Sequence, residues 1–137
     1  MQFLSEQGIS RNSEGKVTLS LWGTGTPLRE FLHVTDMADA CVYVMENVDF
    51  EDLKPQDSVE IRNTHINIGS GKELTIRQLA ELVKKVTDFK GELNFDVSKP
   101  DGTMRKLLDV SKLEKLGWKC KIELEDGVKK VFEGYVG

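Results

Sequence analysis

The chain has 137 residues, 39% apolar and 31% charged, with a formal net charge of −4. That length and balance suit one globular domain that folds without disulfides or a structural metal, because roughly two-thirds of the unfolded surface is buried at this size. The longest unbroken apolar run, Ala40 to Met45, falls far short of the roughly 20 residues of a membrane span, the opening residues lack a secretory pattern, and the acidic balance disfavours broad attraction to nucleic acid or anionic lipid. The expectation is a cytoplasmic protein with no nucleic-acid and no membrane partner. Cys41 and Cys120 are far apart in the chain, and with His33 and His65 as the two histidines no zinc-ligand spacing can be written. Both cysteines read as reduced, buried thiols that pack as small hydrophobes.

Residues 1–15 end in a cluster of small polar residues and read as a loop or starting segment, with a domain over residues 16–137. Val17, Leu19 and Leu21 alternate with Thr18 and Ser20, the period of a half-buried strand, which Trp22 ends. Residues 23–27 form a turn, and residues 31–34 read as a second short strand. Thr35 stands as an N-cap before a helix in which Met37, Ala40, Cys41, Val44 and Met45 recur at helical spacing up to about Asn47.

Residues 49–57 are acidic, contain Pro55 and read as an exposed connection; Ile66 and Ile68 mark a strand that stops at Gly69-Ser-Gly71. Thr75 and Gln78 form a capping box for a helix whose apolar face is Ile76, Leu79, Ala80, Val83 and Val86. Leu93 and Phe95 predict another strand, and residues 97–105 a polar loop around Pro100, Asp101 and Gly102. Ser111 and Glu114 form a second capping box, Gly117 is placed for a left-handed C-cap, Trp118 returns the chain to the core, and residues 124–136 give a last amphipathic helix. Alternating strands and helices, with three or four short strands and no repeat, place the chain in the α/β class as a small mixed domain.

Two glycine pairs invite a phosphate-loop reading, because such loops bring backbone N–H groups to a phosphate at a helix N-terminus. At Gly23-Thr-Gly25 the third glycine position is Leu28, and at Gly69-Ser-Gly71 it is Leu74, so both lack the full fingerprint and read as turns. A reductase Tyr-x-x-x-Lys pair is absent, since Tyr43 is followed four residues on by Asn47. No catalytic or metal constellation is complete, and His33 and His65 read as structural. The remaining signal is cationic: Arg29 after the first turn, and Arg105 and Lys106 after the polar loop, with Trp22 offering a flat face. Guanidinium and ammonium groups in such settings bind phosphate or diphosphate; the competing reading pairs them with Glu30 and Asp109 as surface ion pairs.

Three ordered blocks carry a resemblance: Trp22-Gly-Thr-Gly-Thr-Pro-Leu-Arg29-Glu-Phe, His65-Ile-Asn-Ile-Gly-Ser-Gly, and Ser98-Lys-Pro-Asp-Gly-Thr-Met-Arg105-Lys106. Together they resemble the C-terminal part of the GDP-L-fucose synthases, extended short-chain dehydrogenase/reductases, over roughly residues 16–135. The resemblance implies a substrate-binding lobe without its Rossmann part. It further implies an enzyme that converts GDP-4-keto-6-deoxy-D-mannose to GDP-L-fucose by epimerisation at C3 and C5 and NADPH-dependent reduction at C4. By the same resemblance, NADPH and the catalytic residues belong to an N-terminal Rossmann domain of the same polypeptide, so this chain holds no cofactor, is inactive alone, and joins a homodimer in the full-length enzyme. Carried over by motif position, Trp22 lines the sugar-nucleotide site, Arg29 holds the diphosphate and Lys106 contacts the GDP portion, with Arg105 a further candidate. Met104 stands where the family block usually has proline. The lobe of another NAD(P)-dependent nucleotide-sugar epimerase or dehydratase, and a stand-alone nucleotide-binding or interaction module, are the alternatives.

Overall fold

The computed structural model describes residues 6–55 and 60–137, which fall into two compact units. Among the described residues, the first comprises residues 6–29, Glu73–Lys106 and Val128–Gly137, the second residues 30–55, 60–72 and Leu107–Gly127. As the alternation predicts, the class is small mixed α/β.

In the first unit, β1 (Ile9–Arg11) pairs antiparallel with β2 (Val17–Trp22), and β2 pairs parallel with β5 (Glu92–Asp96). Leu19 sits opposite both Ile9 and Leu93, so one apolar row crosses the sheet, as the pleat's period of two requires. Helix α3 (Ile76–Val86) closes with this sheet around an apolar groove of about 410 Å³, to which Leu19, Leu21, Leu79 and Val83 contribute. Its expected capping box is present: Thr75 Oγ1 accepts from the Gln78 N–H at 3.0 Å, and Gln78 Oε1 accepts from the Thr75 N–H at 2.8 Å. A second sheet has the order β4-β3-β6, with β3 (Leu28–Glu30) parallel to β6 (Arg105–Lys106) and hydrogen-bonded on its other side to β4 (Glu73–Thr75).

The second unit is built on α1 (Val34–Asn47), α2 (Phe50–Leu53) and α4 (Ser111–Lys115). Ala40, Leu113 and Trp118 form its buried core, with Leu32, Tyr43, Ile66 and Ile68 packed around them. Asp36, in the first turn of α1, is 2% exposed. Its Oδ2 accepts the N–H groups of Lys121 and Ile122 at 3.0 and 2.9 Å, which holds the chain ahead of α5 (Leu124–Val136). Gly117 has φ +103, the left-handed conformation expected of it, and a Cβ there would stand 2.5 Å from the Tyr43 hydroxyl.

Several local expectations are corrected. Within residues 1–15, read as loop, Ile9–Arg11 is a strand, because β2 offers it a partner. The strand expected at residues 31–34 lies three residues earlier, at Leu28–Glu30, where β4 and β6 supply ladders. The N-cap of α1 is His33 and not Thr35: its Nδ1 accepts the Thr35 N–H at 3.2 Å. Ile66 and Ile68 alternate as a strand would but join no sheet; side chains hold this segment, Asn67 Nδ2 donating to the Asp109 carbonyl and Lys112 Nζ to the His65 carbonyl, each at 3.0 Å. Ser111 does not cap α4; Asp109 accepts the Ser111 N–H at 3.0 Å instead. Part of the acidic connection is helical as α2, and residues 56–59 of it lie outside the described residues. Cys41, read as buried, is exposed on α1, and Cys120 is half-buried.

Candidate functional site

Trp22, 73% exposed, ends β2, and Arg29 lies at the centre of β3. The turn between them bends through Gly23 and Gly25, at φ +79 and +76, conformations that side chains disfavour. Asp101 ties this turn to the polar loop: its Oδ1 accepts the Thr24 N–H at 2.9 Å and its Oδ2 the Thr24 hydroxyl at 2.7 Å. On the other side of the turn, Arg77 donates to the Thr24 carbonyl at 2.9 Å while its guanidinium stacks 3.7 Å from the Phe95 ring centre. The result is a recess of about 170 Å³ walled by Trp22, Pro27, Arg29, Pro100, Asp101 and Gly102. Ligand sites for drug-sized molecules run from about 300 to 1,000 Å³, so this recess has room for only part of such a molecule.

The four cations anticipated or neighbouring here differ in what already neutralises them. Arg29 donates to the carbonyl of Leu28 at 2.6 Å and has no carboxylate partner among the described residues. Lys106 is its register partner on β6, one strand spacing of about 4.8 Å away, and likewise has no ion pair among the described residues. Lys99, which the sequence reading passed over, places its Nζ 5.7 Å from the Trp22 ring centre. Arg105 is different: its Nε and Nη2 grip the Glu73 carboxylate at 3.0 and 2.8 Å, which raises the guanidinium pKa further. Neither surface pairing weighed against the binding reading occurs, because Glu30 accepts backbone N–H groups of Gly71 and Leu108, and Asp109 that of Ser111. Arg29, on the recess wall, and Lys106, its register partner, therefore stand without a carboxylate partner among the described residues, Lys99 lies near the Trp22 ring and also acts on Asp96, and Arg105 is held across β3 by Glu73 of β4.

The glycine pairs are engaged structurally. Gly23 and Gly25 lead into β3 and not a helix. The Gly71 N–H is taken by Glu30 Oε1 at 2.6 Å, and β4 stands between this turn and α3. The geometry at both pairs does not fit a dinucleotide's phosphates, which need free N–H groups opening directly onto a helix. In the second unit, a cavity of about 270 Å³ is lined by Ser70, Lys72, Trp118 and Cys120. Burial pushes the Cys120 thiol above its ordinary range, and the Glu123 carboxylate raises Lys72. Among the described residues no group of three or more His, Cys, Asp or Glu side chains is placed to hold a metal ion, and no helix is long and apolar enough to cross a membrane.

Comparison with known proteins places this geometry in a family context. The model of the NAD dependent epimerase/dehydratase family matches residues 4–69. Over 122 residues the chain is 50% identical to GDP-L-fucose synthase 1 of Arabidopsis thaliana, covering 89% of this chain and 34% of that protein. A solved GDP-6-OMe-4-keto-L-xylo-heptose reductase from Campylobacter jejuni is 46% identical with a TM-score of 0.88, covering 98% of this chain and 37% of that one. A GDP-D-glycero-L-gluco-heptose synthase from the same organism, solved in the presence of NADPH, is 43% identical with a TM-score of 0.84, covering 99% of this chain and 36% of that one. The chain spans about a third of the length of these relatives, and it is similar to the C-terminal region of the GDP-L-fucose synthases.

Proposed function

We propose that this chain supplies the GDP-sugar-binding lobe of a GDP-L-fucose synthase-like epimerase-reductase and performs no chemistry by itself. The observation that carries the reading is the recess shared by Trp22 and Arg29, with Lys106 in register beside Arg29 and no carboxylate among the described residues on either cation. In this reading the Arg29 fork and Lys106 bind the diphosphate by charge-assisted hydrogen bonds, and Trp22 packs a flat face against the nucleotide sugar. Arg105, anticipated as a further contact, serves as a strut through Glu73. NADPH, when bound, supplies hydride for the C4 reduction; we place its site and the catalytic residues in an N-terminal Rossmann domain of the longer polypeptide, which the glycine turns of this chain do not replace. Pairing of two such polypeptides through that domain is part of the same reading.

The sugar itself is open to a second reading, because heptose-acting relatives match nearly as well as fucose synthases and all of them share the GDP group in their names. Calorimetric titration of the 137-residue chain with GDP, UDP and NADPH tests the core of the proposal. GDP should bind, UDP more weakly, and NADPH not measurably, and the chain should not oxidise NADPH in the presence of the 4-keto-6-deoxy sugar. Turnover by this chain, or equal binding of all three ligands, overturns the assignment. Substrate profiling of the longer enzyme that carries this lobe separates the deoxyhexose from the heptose.

A further inference from the structure

The carboxylate of Asp101 is an unexpected wall for a recess meant to receive phosphate. By charge alone it repels an anionic ligand. Its hydrogen bonds point to a different purpose. Both oxygens are directed at one residue of the facing turn, Thr24, at 2.9 and 2.7 Å. Thr24 has a single hydroxyl proton, and an ionised Asp101 can only accept. The Thr24 proton therefore goes to Asp101, and Thr24 Oγ1 accepts from the Thr26 N–H at 3.1 Å and from the Thr26 hydroxyl at 2.7 Å. A directional chain of hydrogen bonds thus runs through the turn and ends on the polar loop.

The backbone on either side of this chain holds the two proposed ligand contacts. Gly23, next to Trp22, lies so close to the clamp that a Cβ there would stand 2.2 Å from Asp101 Oδ1. Gly102, next to Asp101, has its Cβ position 3.2 Å from Arg29 Nη2. One carboxylate therefore sits between the residue that places the indole and the residue that backs the guanidinium. We propose that Asp101 is the positioning residue of the site: by binding Thr24 with both oxygens it locks the 23–27 turn to the 99–103 loop and so sets Trp22 and Arg29 at one separation. This rests on the GDP-sugar reading above, but concerns the geometry of the recess itself as well as its use.

Charge and position give opposite signs, which makes the test decisive. Asp101→Ala removes the repulsion and the clamp together, whereas Asp101→Asn removes the charge but can still bind Thr24, its carbonyl accepting the N–H and its amide donating to Oγ1. The clamp predicts GDP affinity about tenfold lower in Asp101→Ala and unchanged or higher in Asp101→Asn, with Thr24→Val falling between them. Two-dimensional NMR of the unliganded chain should show the Trp22 indole and Arg29 Nε–H signals shifted in Asp101→Ala, Thr24 amide protection lost, and the buried Trp118 indole signal in place. GDP binding that strengthens in both Asp101 variants overturns the proposal, as do Trp22 and Arg29 signals that stay fixed. If the unsubstituted chain binds no GDP while those signals still move, the nucleotide reading fails and the clamp stands. If Asp101→Ala does not fold, Thr24→Val decides through the same two measurements.

Discussion

Replacing Arg29 by alanine separates a binding role from a structural one, because the fold asks so little of this side chain. Among the described residues its side chain makes one hydrogen bond, to the carbonyl of its neighbour Leu28 at 2.6 Å. Losing a bond of that kind on a partly exposed strand, with no carboxylate left unpaired, should change stability by no more than about 0.5 kcal/mol. A guanidinium that donates to a diphosphate is worth more: removing a charge-assisted hydrogen bond costs about 1.5–3 kcal/mol, or roughly 10- to 150-fold in affinity. Arg29→Lys should recover part of this loss, since it keeps the charge and gives up the fork. Gly102→Ala should weaken GDP binding in the same direction and by less, because the added methyl carbon 3.2 Å from Nη2 displaces the guanidinium by only tenths of an ångström. The assay is calorimetry with GDP at low and at physiological ionic strength, beside thermal melts of each variant. The unsubstituted chain should lose affinity with salt more steeply than Arg29→Ala. GDP affinity unchanged in Arg29→Ala, or an affinity loss matched by a large drop in melting temperature, refutes the assignment.

Other outcomes test the framework around the site. Asp36→Ala strands the N–H groups of Lys121 and Ile122 beside a side chain that is 2% exposed, and urea denaturation should show a loss of about 2–4 kcal/mol; a loss below about 1 kcal/mol would mean that water replaces the carboxylate. Asp39 is held below its ordinary 3.8 first by the Trp118 indole and then by Lys121. Its contribution to stability is therefore present above pH 3.8 and lost as the pH falls through the lower folded value. An acid titration followed by Trp118 fluorescence should lose part of this transition in Asp39→Asn, and an unchanged profile argues that another carboxylate governs it. Cys41 is exposed, whereas burial raises the Cys120 pKa above its ordinary 9.0, so iodoacetamide at about pH 8 should alkylate Cys41 first; peptide mass spectrometry showing the reverse order contradicts the described burial.

What could be read in advance follows from the distance over which each element is specified. Helix α3 carries its apolar face within eleven residues and its capping box starts at the residue just before them, and β2 carries its own alternation, so both are legible as local text. Strands β1, β4 and β6 have two or three residues each, too short for any period to show. They exist because distant segments present ladders to them, and Ile66 and Ile68, with the better alternation, have none. The same limit governs the site. Their place after the polar loop offers both Arg105 and Lys106 as cations, but the β3–β6 register sets Lys106 beside Arg29, while Glu73, 32 positions before Arg105, claims that residue. Asp101 reads as an ordinary turn residue in the sequence, and its partner Thr24 lies 77 positions away. Composition identifies a polar loop with a carboxylate in it; only the fold decides that this carboxylate faces inward to another loop and not outward to solvent. The pairing of Arg29 and Lys106 without a carboxylate is thus the product of long-range subtraction, with Glu30 and Asp109 assigned to backbone and Glu73 to a strut, and that remainder is what the proposed anion site rests on.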